Sequence, residues 1–126
     1  MKKRILSVLI TLVMLIGMLP TAVFAVETTY DIWVGGVQIT ESNKDDLVQA
    51  INSAANATVA TGSATYDPGS NTIILENFSY TGVGYDYGWN NRAAIYGGNN
   101  SLTIHAIGEN TIICKGDGSC YGIRSE

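Results

Sequence analysis

The stretch NTIILENF at residues 71–78 determines the pattern of the chain, because the related stretch SLTIHAIG follows it at residues 101–108. Both are short apolar runs in which side chains alternate with a period of two, as they do in β-strands. AIYG at residues 94–97 has a counterpart in GSCYGI at residues 118–123. The offset within each pair is 28 to 30 residues, so the second half of the chain repeats the first strand pattern.

This repetition predicts successive coils of a solenoid. Ile95 and Ile123 fall in register, and a further short strand, NTIIC at residues 110–114, follows the second copy directly. Short strands that recur at this spacing and are joined by Gly and Asn turns are typical of stacked β-coils. We therefore predict an all-β fold, with residues 63–126 forming the coils. A β-sandwich built of unrelated hairpins remains open as the alternative.

Upstream of the repeat, the chain predicts two hairpins. YDIWVGGVQIT at residues 30–40 contains two short strands around Gly35 and Gly36, and a glycine pair is a strong hairpin signal. Ala64 to Tyr66 is expected to pair with residues 72–76 across a turn that contains Pro68 and Gly69. Residues 56–62 are predicted to be a loop.

One helix is predicted between the hairpins, from Asn43 to Ala54. Asp45 and Asp46 suit the first turn of a helix, and Leu47, Ile51 and Ala54 fall on one face. With the first hairpin, this helix completes a predicted N-terminal unit of residues 26–62. We expect the helix to cap the first coil.

The N-terminus has the three parts of a secretory signal peptide. Lys2, Lys3 and Arg4 precede an apolar run, and the exit sequence Val23-Phe24-Ala25 has the small residues that a signal peptidase reads. We predict cleavage after Ala25 and an extracellular, secreted domain. An uncleaved membrane anchor is the alternative, and the apolar run lies at the short end of the length that it requires.

The net charge of residues 26–126 makes some kinds of binding partner unexpected. Residues 26–126 retain four basic residues against all eleven acidic residues of the chain, which gives a formal net charge of −7. Phosphate backbones and anionic membranes are bound by clustered Lys and Arg, which this part of the chain does not have. We therefore expect no nucleic-acid partner and no membrane partner after signal cleavage.

The strings quoted above also carry a family resemblance. The WVGG string within residues 30–40, the turn strand ATYDP at residues 64–68, and the coil strands that follow resemble a module of secreted surface proteins of Gram-positive gut bacteria. The resemblance covers about residues 30–124. It implies the start of a right-handed parallel β-helix with a short capping helix, and a carbohydrate-binding or adhesive function at the cell surface.

Two departures from that pattern bear on the expectations. The segment from Ser42 to Gly62 is longer than the expected connection, and the sequence ends as its second repeat closes. Because a solenoid generally requires about three repeats and two caps, we expect these coils to be incomplete. The alternatives are that the chain is the N-terminal region of a larger polysaccharide-degrading enzyme, or a structural stalk.

The residues with reactive side chains favour a non-enzymatic protein. His105 is the only histidine, which leaves no second imidazole for a metal pair, and no cofactor motif is present. Glu76 and Glu109 occupy similar places in the two repeats, each beside an asparagine that can bond along the coil turns. We expect no catalytic residue, no metal and no cofactor. Cys114 and Cys120, in an exported chain, are interpreted as a possible disulfide.

The residues most indicative of ligand binding lie between residues 80 and 92, in a predicted Gly-rich loop. Sugar-binding surfaces combine flat aromatic rings with planar polar groups, and binding residues concentrate on loops carried by rigid scaffolds. The candidates for binding a polysaccharide or a host or cell-wall glycan are Tyr85, Asp86, Tyr87, Trp89, Asn90, Asn91 and Arg92. Alternatively, the aromatic residues fold back to cover the open end of the coils.

Overall fold

The computed structural model describes residues 4, 7–11, 14, 25–54, 59–98 and 101–126. Most of the predicted signal peptide therefore lies outside the described residues. Arg4, Ser7 to Thr11 and Met14 are helical, and Ala25 to Thr28 have no regular structure. No helix in the described ranges is long and apolar enough to cross a membrane.

From Ala25 onward the described residues are all-β apart from one short helix, and the all-β class agrees with the prediction. In chain order the elements are β1 (Thr29–Val34), β2 (Val37–Thr40), α1 (Leu47–Ser53), β3 (Val59–Asp67), β4 (Thr72–Gly82), β5 (Tyr85–Gly88), β6 (Asn91–Gly97), β7 (Thr103–Ile107), β8 (Thr111–Cys114) and β9 (Ser119–Ser125).

These strands form two open sheets of mixed direction. One sheet has the order β2-β1-β6-β5, with β9 paired to β6, and the other has the order β3-β4-β7, with β8 paired to β4. The hairpin β1–β2 thus lies in the same sheet as the later strands β6 and β9. Open mixed sheets also fit the sandwich alternative, so the parallel β-helix remains a prediction.

The repeat in the sequence corresponds to three parallel strand pairs. Strand β7 pairs with the first part of β4 and β8 with its last part, while β9 pairs with β6. Ile95 lies opposite Ile123, as the repeat predicted. The other predicted alignment, with an offset of 30 residues, was too short: the offset is 31 where Ile73 lies opposite Ile104 and 32 where Ser79 lies opposite Thr111.

One apolar core joins the two sheets and the helix. Its largest fully buried side chains include Phe78 and Tyr80 from β4, Ile39 from β2 and Ile95 from β6. Leu47 and Ile51 add the apolar face of α1, each 1% exposed. The helix is shorter than predicted, since the chain before Leu47 forms turns and the Asp46 side chain caps the helix by accepting from the Gln49 backbone N–H.

Two predicted loops were wrong in part. Of the loop predicted at residues 56–62, residues 59–62 belong to β3, which pairs with β4 along its length except at an irregularity between Thr61 and Ser63. The predicted Gly-rich loop at residues 80–92 is mostly strand, because β5 forms a hairpin with β6. In both places the glycines suggested a loop, whereas the Val, Thr and Tyr residues between them favour strands and pair with a neighbouring strand.

Candidate functional site

Trp89 lies at the tip of the β5–β6 hairpin and is 99% exposed. It forms the turn with Asn90, and the φ angles of the two residues are 55° and 60°. Positive φ at both turn residues is the geometry of a type I′ hairpin, in which Asn is common and a bulky aromatic residue is rare. The turn therefore holds an indole ring in water on a backbone conformation that disfavours it.

The other aromatic side chains near this hairpin pack together. Trp33 stacks on Tyr85 with the ring centroids 4.2 Å apart, and Tyr87 stacks on Tyr96 at 4.8 Å, each pair being inclined by 13°. We call Trp33, Tyr85, Tyr87 and Tyr96 the aromatic cluster. Its members meet because β9 occupies one edge of β6, so β1 and β5 both lie along the other edge.

Arg124 joins β9 to this cluster. Its guanidinium carbon lies 5.9 Å from the ring centroid of Tyr87 and 5.4 Å from that of Tyr121. A cation over an aromatic face at this distance is attracted by the quadrupole of the ring. Because Arg124 lies opposite Tyr96 in the parallel pair β6–β9, a residue of the last strand lies beside the aromatic cluster.

The polar groups of the hairpin are held by one another. Arg92 Nη2 lies 3.2 Å from Asp86 Oδ2, while Asp86 Oδ1 accepts from the Gly88 backbone N–H at 3.0 Å. The Asn91 side chain donates to the Gly88 carbonyl, also at 3.0 Å. These contacts fix the hairpin directly below Trp89, so the turn is carried by a braced element.

The two cysteines form a disulfide that closes a loop beside the same hairpin. Cys114 ends β8 and Cys120 lies near the start of β9, with their Cα atoms 5.6 Å apart. The glycines of this loop approach the hairpin so closely that a Cβ on Gly116 would collide with Arg92 Cδ, and one on Gly118 with Asn90. The disulfide loop, which joins β8 to β9, therefore packs against the Trp89–Asn90 turn and supports it.

Burial changes the protonation of the one cluster member that lies deepest. Tyr96 is 9% exposed, and desolvation raises its pKa above the usual value, with the Glu126 carboxylate raising it further. Because an ordinary tyrosine is already neutral at physiological pH, the raised pKa affects the charge of Tyr96 only in alkaline solution.

The structure divides the predicted binding residues into three groups. Tyr85 and Tyr87 pack in the aromatic cluster against residues of β1 and β6, whereas Trp89 projects from the turn. Asp86, Asn91 and Arg92 brace the hairpin, and Asn90 shares the turn. Sequence reasoning missed three residues of the site, Trp33, Tyr96 and Arg124. The offset of 28 residues that aligns Ile95 with Ile123 also aligns Tyr96 with Arg124, and this signal was present in the repeat.

The described residues offer little else for chemistry. No three His, Cys, Asp or Glu side chains among them are grouped to hold a metal ion. A small cleft of about 70 Å³ lies between Gly35, Ile51 and Gly84. Sites for small ligands usually have volumes of roughly 300 to 1,000 Å³, so a larger ligand would bind on the open surface.

The chain was also compared with known proteins. Comparison with protein-family models, with curated proteins and with solved structures gave no match for this chain.

Proposed function

We propose that this protein is a secreted, non-enzymatic module that binds carbohydrate through the β5–β6 hairpin. The observation that carries the proposal is Trp89, which is 99% exposed and held at a φ of 55°. A strained backbone conformation has a free-energy cost of order 1–3 kcal/mol, and strained residues cluster at functional sites. A fully exposed indole at such a position stabilises nothing in the fold, so a ligand accounts for it best.

The chemistry around Trp89 suits a sugar. A pyranose ring presents an apolar face of C–H groups that can lie on a flat indole, while its hydroxyls require planar polar partners. The adjacent Asn90 amide has no side-chain hydrogen bond within the described residues and can donate and accept. The Asp86 carboxylate retains lone pairs beyond those used by Arg92 and Gly88.

The aromatic cluster supports this role indirectly. Its stacked rings fill the junction of β1, β5 and β6, so the hairpin that carries Trp89 is anchored in the sheet rather than free. A preorganised platform loses less conformational entropy when it binds than a mobile loop does. The proposed ligand is therefore an extended glycan that lies across an exposed surface, not a small molecule enclosed in a pocket.

The scaffold that we propose is the opening of a right-handed parallel β-helix. Its support is the set of three parallel pairs, β4–β7, β4–β8 and β6–β9, in which each later strand lies one repeat after its partner. The proposed extracellular location rests on the signal-peptide pattern of residues 1–25.

Replacing Trp89 by alanine tests the proposal. We expect Trp89→Ala to weaken binding to the insoluble polysaccharide that retains the wild-type protein best by at least about fivefold. The scale is the roughly 1–3 kcal/mol that stacking of a nucleobase on an aromatic side chain contributes. The melting temperature should change by less than about 2 °C, because the side chain has no packing partners to lose.

Trp33→Ala is the matched control. Trp33 is half-buried and stacked on Tyr85, so its removal should lower the melting temperature clearly. A large loss of stability in Trp89→Ala, or unchanged binding by that variant, would contradict the proposal. If the wild-type protein unfolds cooperatively but binds none of the insoluble polysaccharides tested, the structural role would be favoured instead.

A further inference from the structure

The disulfide between Cys114 and Cys120 joins strands that belong to different sheets. Cys114 is the last residue of β8, which pairs with β4 in one sheet, and Cys120 is the second residue of β9, which pairs with β6 in the other. The Lys115 backbone N–H continues the first of these contacts by donating to the Gly82 carbonyl at 2.7 Å. The loop of residues 115–119 is therefore held between the two sheets.

This loop lies directly against the turn that carries Trp89. Gly118 packs so closely on Asn90 that a Cβ at that position would overlap the Asn90 carbonyl, and a Cβ on Gly116 would lie 2.6 Å from Arg92 Cδ. Gly118 also has a φ of 87°, a conformation that glycine adopts readily and other residues rarely adopt. Because Asn90 shares the turn with Trp89, a displacement of the loop removes a contact from one side of the turn.

The conformation of the turn depends on such contacts. Trp89 and Asn90 have φ angles of 55° and 60°. A bulky residue keeps a backbone conformation of this kind only where the surrounding structure imposes it. The contact of Gly118 with Asn90 is part of that surrounding structure. When the loop is released, we expect the turn to sample other conformations.

The disulfide limits the freedom of the loop more than it holds the sheets. Residues 115–119 include two glycines, and a glycine-containing segment has many accessible backbone conformations once it is released. Strands β8 and β9 keep their ladders with β4 and β6 whether or not the bond is formed. A disulfide that closes a short loop also stabilises a fold less than one that closes a long loop. Opening the bond should therefore affect the turn before it affects the sheets.

We propose that the Cys114–Cys120 disulfide positions the Trp89 turn for glycan, so that a small thiol that reduces this bond lowers the affinity of the site. This inference rests on the proposed function and adds a form of regulation to it. In the oxidised protein the turn is preorganised. In the reduced protein the turn must become ordered when glycan binds, and this loss of conformational entropy opposes binding.

The reaction consumes two thiol molecules for each protein molecule. The thiolate of the first attacks one sulfur atom of the bond, forms a mixed disulfide with that cysteine and releases the other cysteine, which takes up a proton. The second thiol attacks the mixed disulfide and releases the remaining cysteine in the same way. The protein gains two electrons and two protons, and the reductant leaves as its own disulfide. Residues 117–119 of the loop are exposed in the described structure, which gives a small reagent a path to the bond.

The first test compares the oxidised and the reduced protein. The full chain is exported from a Gram-positive secretion host, is verified to have no free thiols, and is bound to the insoluble polysaccharide that retains it best. Reduction by a small thiol should raise the dissociation constant by about two- to tenfold, the range that corresponds to ordering one side chain on binding. Reoxidation should restore the affinity. The Cys114→Ser/Cys120→Ser double variant should bind as the reduced protein does and should not respond to thiol.

Gly118→Ala displaces the loop while the disulfide remains intact. It should weaken binding as reduction does, and reduction should then have little further effect, because both changes act through the same contact. Gly108→Ala is the matched control. Gly108 also has a positive φ, of 71°, and a Cβ there would also overlap an asparagine, Asn77, but it lies in the turn before β8, away from the hairpin. Gly108→Ala should lower stability and leave the affinity for polysaccharide and its thiol response unchanged.

Hydrogen exchange without glycan separates this inference from the proposed function. Reduction should accelerate exchange of the backbone amides of the β5–β6 hairpin and leave β3 unchanged, since β3 lies in the other sheet and pairs with β4. If the oxidised protein binds no polysaccharide, the proposed function fails, and the exchange of the hairpin still decides whether the disulfide positions the turn. Unchanged exchange in the hairpin, equal acceleration in all strands, or equal affinity of the oxidised and reduced proteins would overturn the proposal.

Discussion

Four residues other than glycine have positive φ in the described part of the chain, and three of them are asparagines. Asn tolerates this conformation because its short amide can bond locally. Asn77, with a φ of 47°, faces Gly62, whose own φ is 82° and whose Cβ, if present, would collide with the Asn77 backbone. Trp89 is the exception among the four, and for that reason it is the residue whose role we assign to binding.

Tyr80 gives a prediction about stability at the scale of one atom. Its hydroxyl accepts the Gly84 backbone N–H at 3.0 Å, and the side chain is 1% exposed. Tyr80→Phe removes the acceptor and leaves that N–H without its partner, so we expect the free energy of unfolding to fall by about 1–3 kcal/mol. Denaturant titration at neutral pH measures the change. An unchanged midpoint would show that water replaces the hydroxyl.

The same variant should alter the alkaline limb of stability. Burial raises the pKa of Tyr80 above its ordinary value of 10.0, so the folded state favours the neutral phenol. The resulting stabilisation is fully present below about pH 10 and is lost as the pH rises through the raised pKa. The decline of the wild type above pH 10 should therefore be less steep in Tyr80→Phe. Because burial also raises the pKa of Tyr66, part of the decline should remain.

At the scale of elements, asparagine side chains join strand β4 to the turn between β7 and β8. Asn110 Oδ1 accepts from the Phe78 backbone N–H at 2.8 Å, and Asn77 Oδ1 accepts from the Glu109 N–H at 3.2 Å. These bonds match the structural role expected for the two asparagines from the sequence. They hold the β7–β8 turn against β4 at the point where the ladder between the strands is interrupted.

Asn110→Ala should therefore weaken the attachment of the β7–β8 turn to β4 and lower the stability of the protein. The substitution leaves the N–H of Phe78, a residue that is 0% exposed, without its acceptor, and we expect a loss of about 1–2 kcal/mol in the free energy of unfolding. Thr111→Ala, at the exposed neighbouring position, is the control and should change stability by less than about 0.5 kcal/mol. Equal effects from the two variants would refute a specific role for the Asn110 amide.

The elements that the sequence predicted well are those with local signals. Gly35-Gly36 and Pro68-Gly69 mark hairpin turns by backbone preference alone, so both hairpins lie where they were expected. The β5–β6 hairpin was missed because its turn, Trp89-Asn90, carries no such signal and is determined by pairing with β6. The binding candidates were named from one contiguous stretch and therefore omitted Trp33, Tyr96 and Arg124. The repeat offset aligned Tyr96 with Arg124, but only the pairing of β1 with β6 shows that Trp33 joins them.

At the scale of the whole molecule, the central strand of each sheet is better protected from solvent exchange than the edge strands. Strands β4 and β6 have partners on both sides, whereas β7, β8 and β9 have one partner each in the described structure. Hydrogen–deuterium exchange should therefore be slowest in β4 and β6 and faster in β7, β8 and β9. Equal exchange in all strands would indicate that both sheets open together as one unit.

The two tryptophans of the chain have opposite surroundings. Trp33 is stacked on Tyr85 inside the aromatic cluster, and Trp89 is in water at the hairpin tip. Their fluorescence is therefore separable: a soluble quencher reaches the fully exposed Trp89 more readily than the half-buried Trp33 in the native protein, and the difference is lost on unfolding. The molecule thus contains two natural optical probes, one for occupancy of its surface and one for integrity of its sheet, and each can be followed without a label.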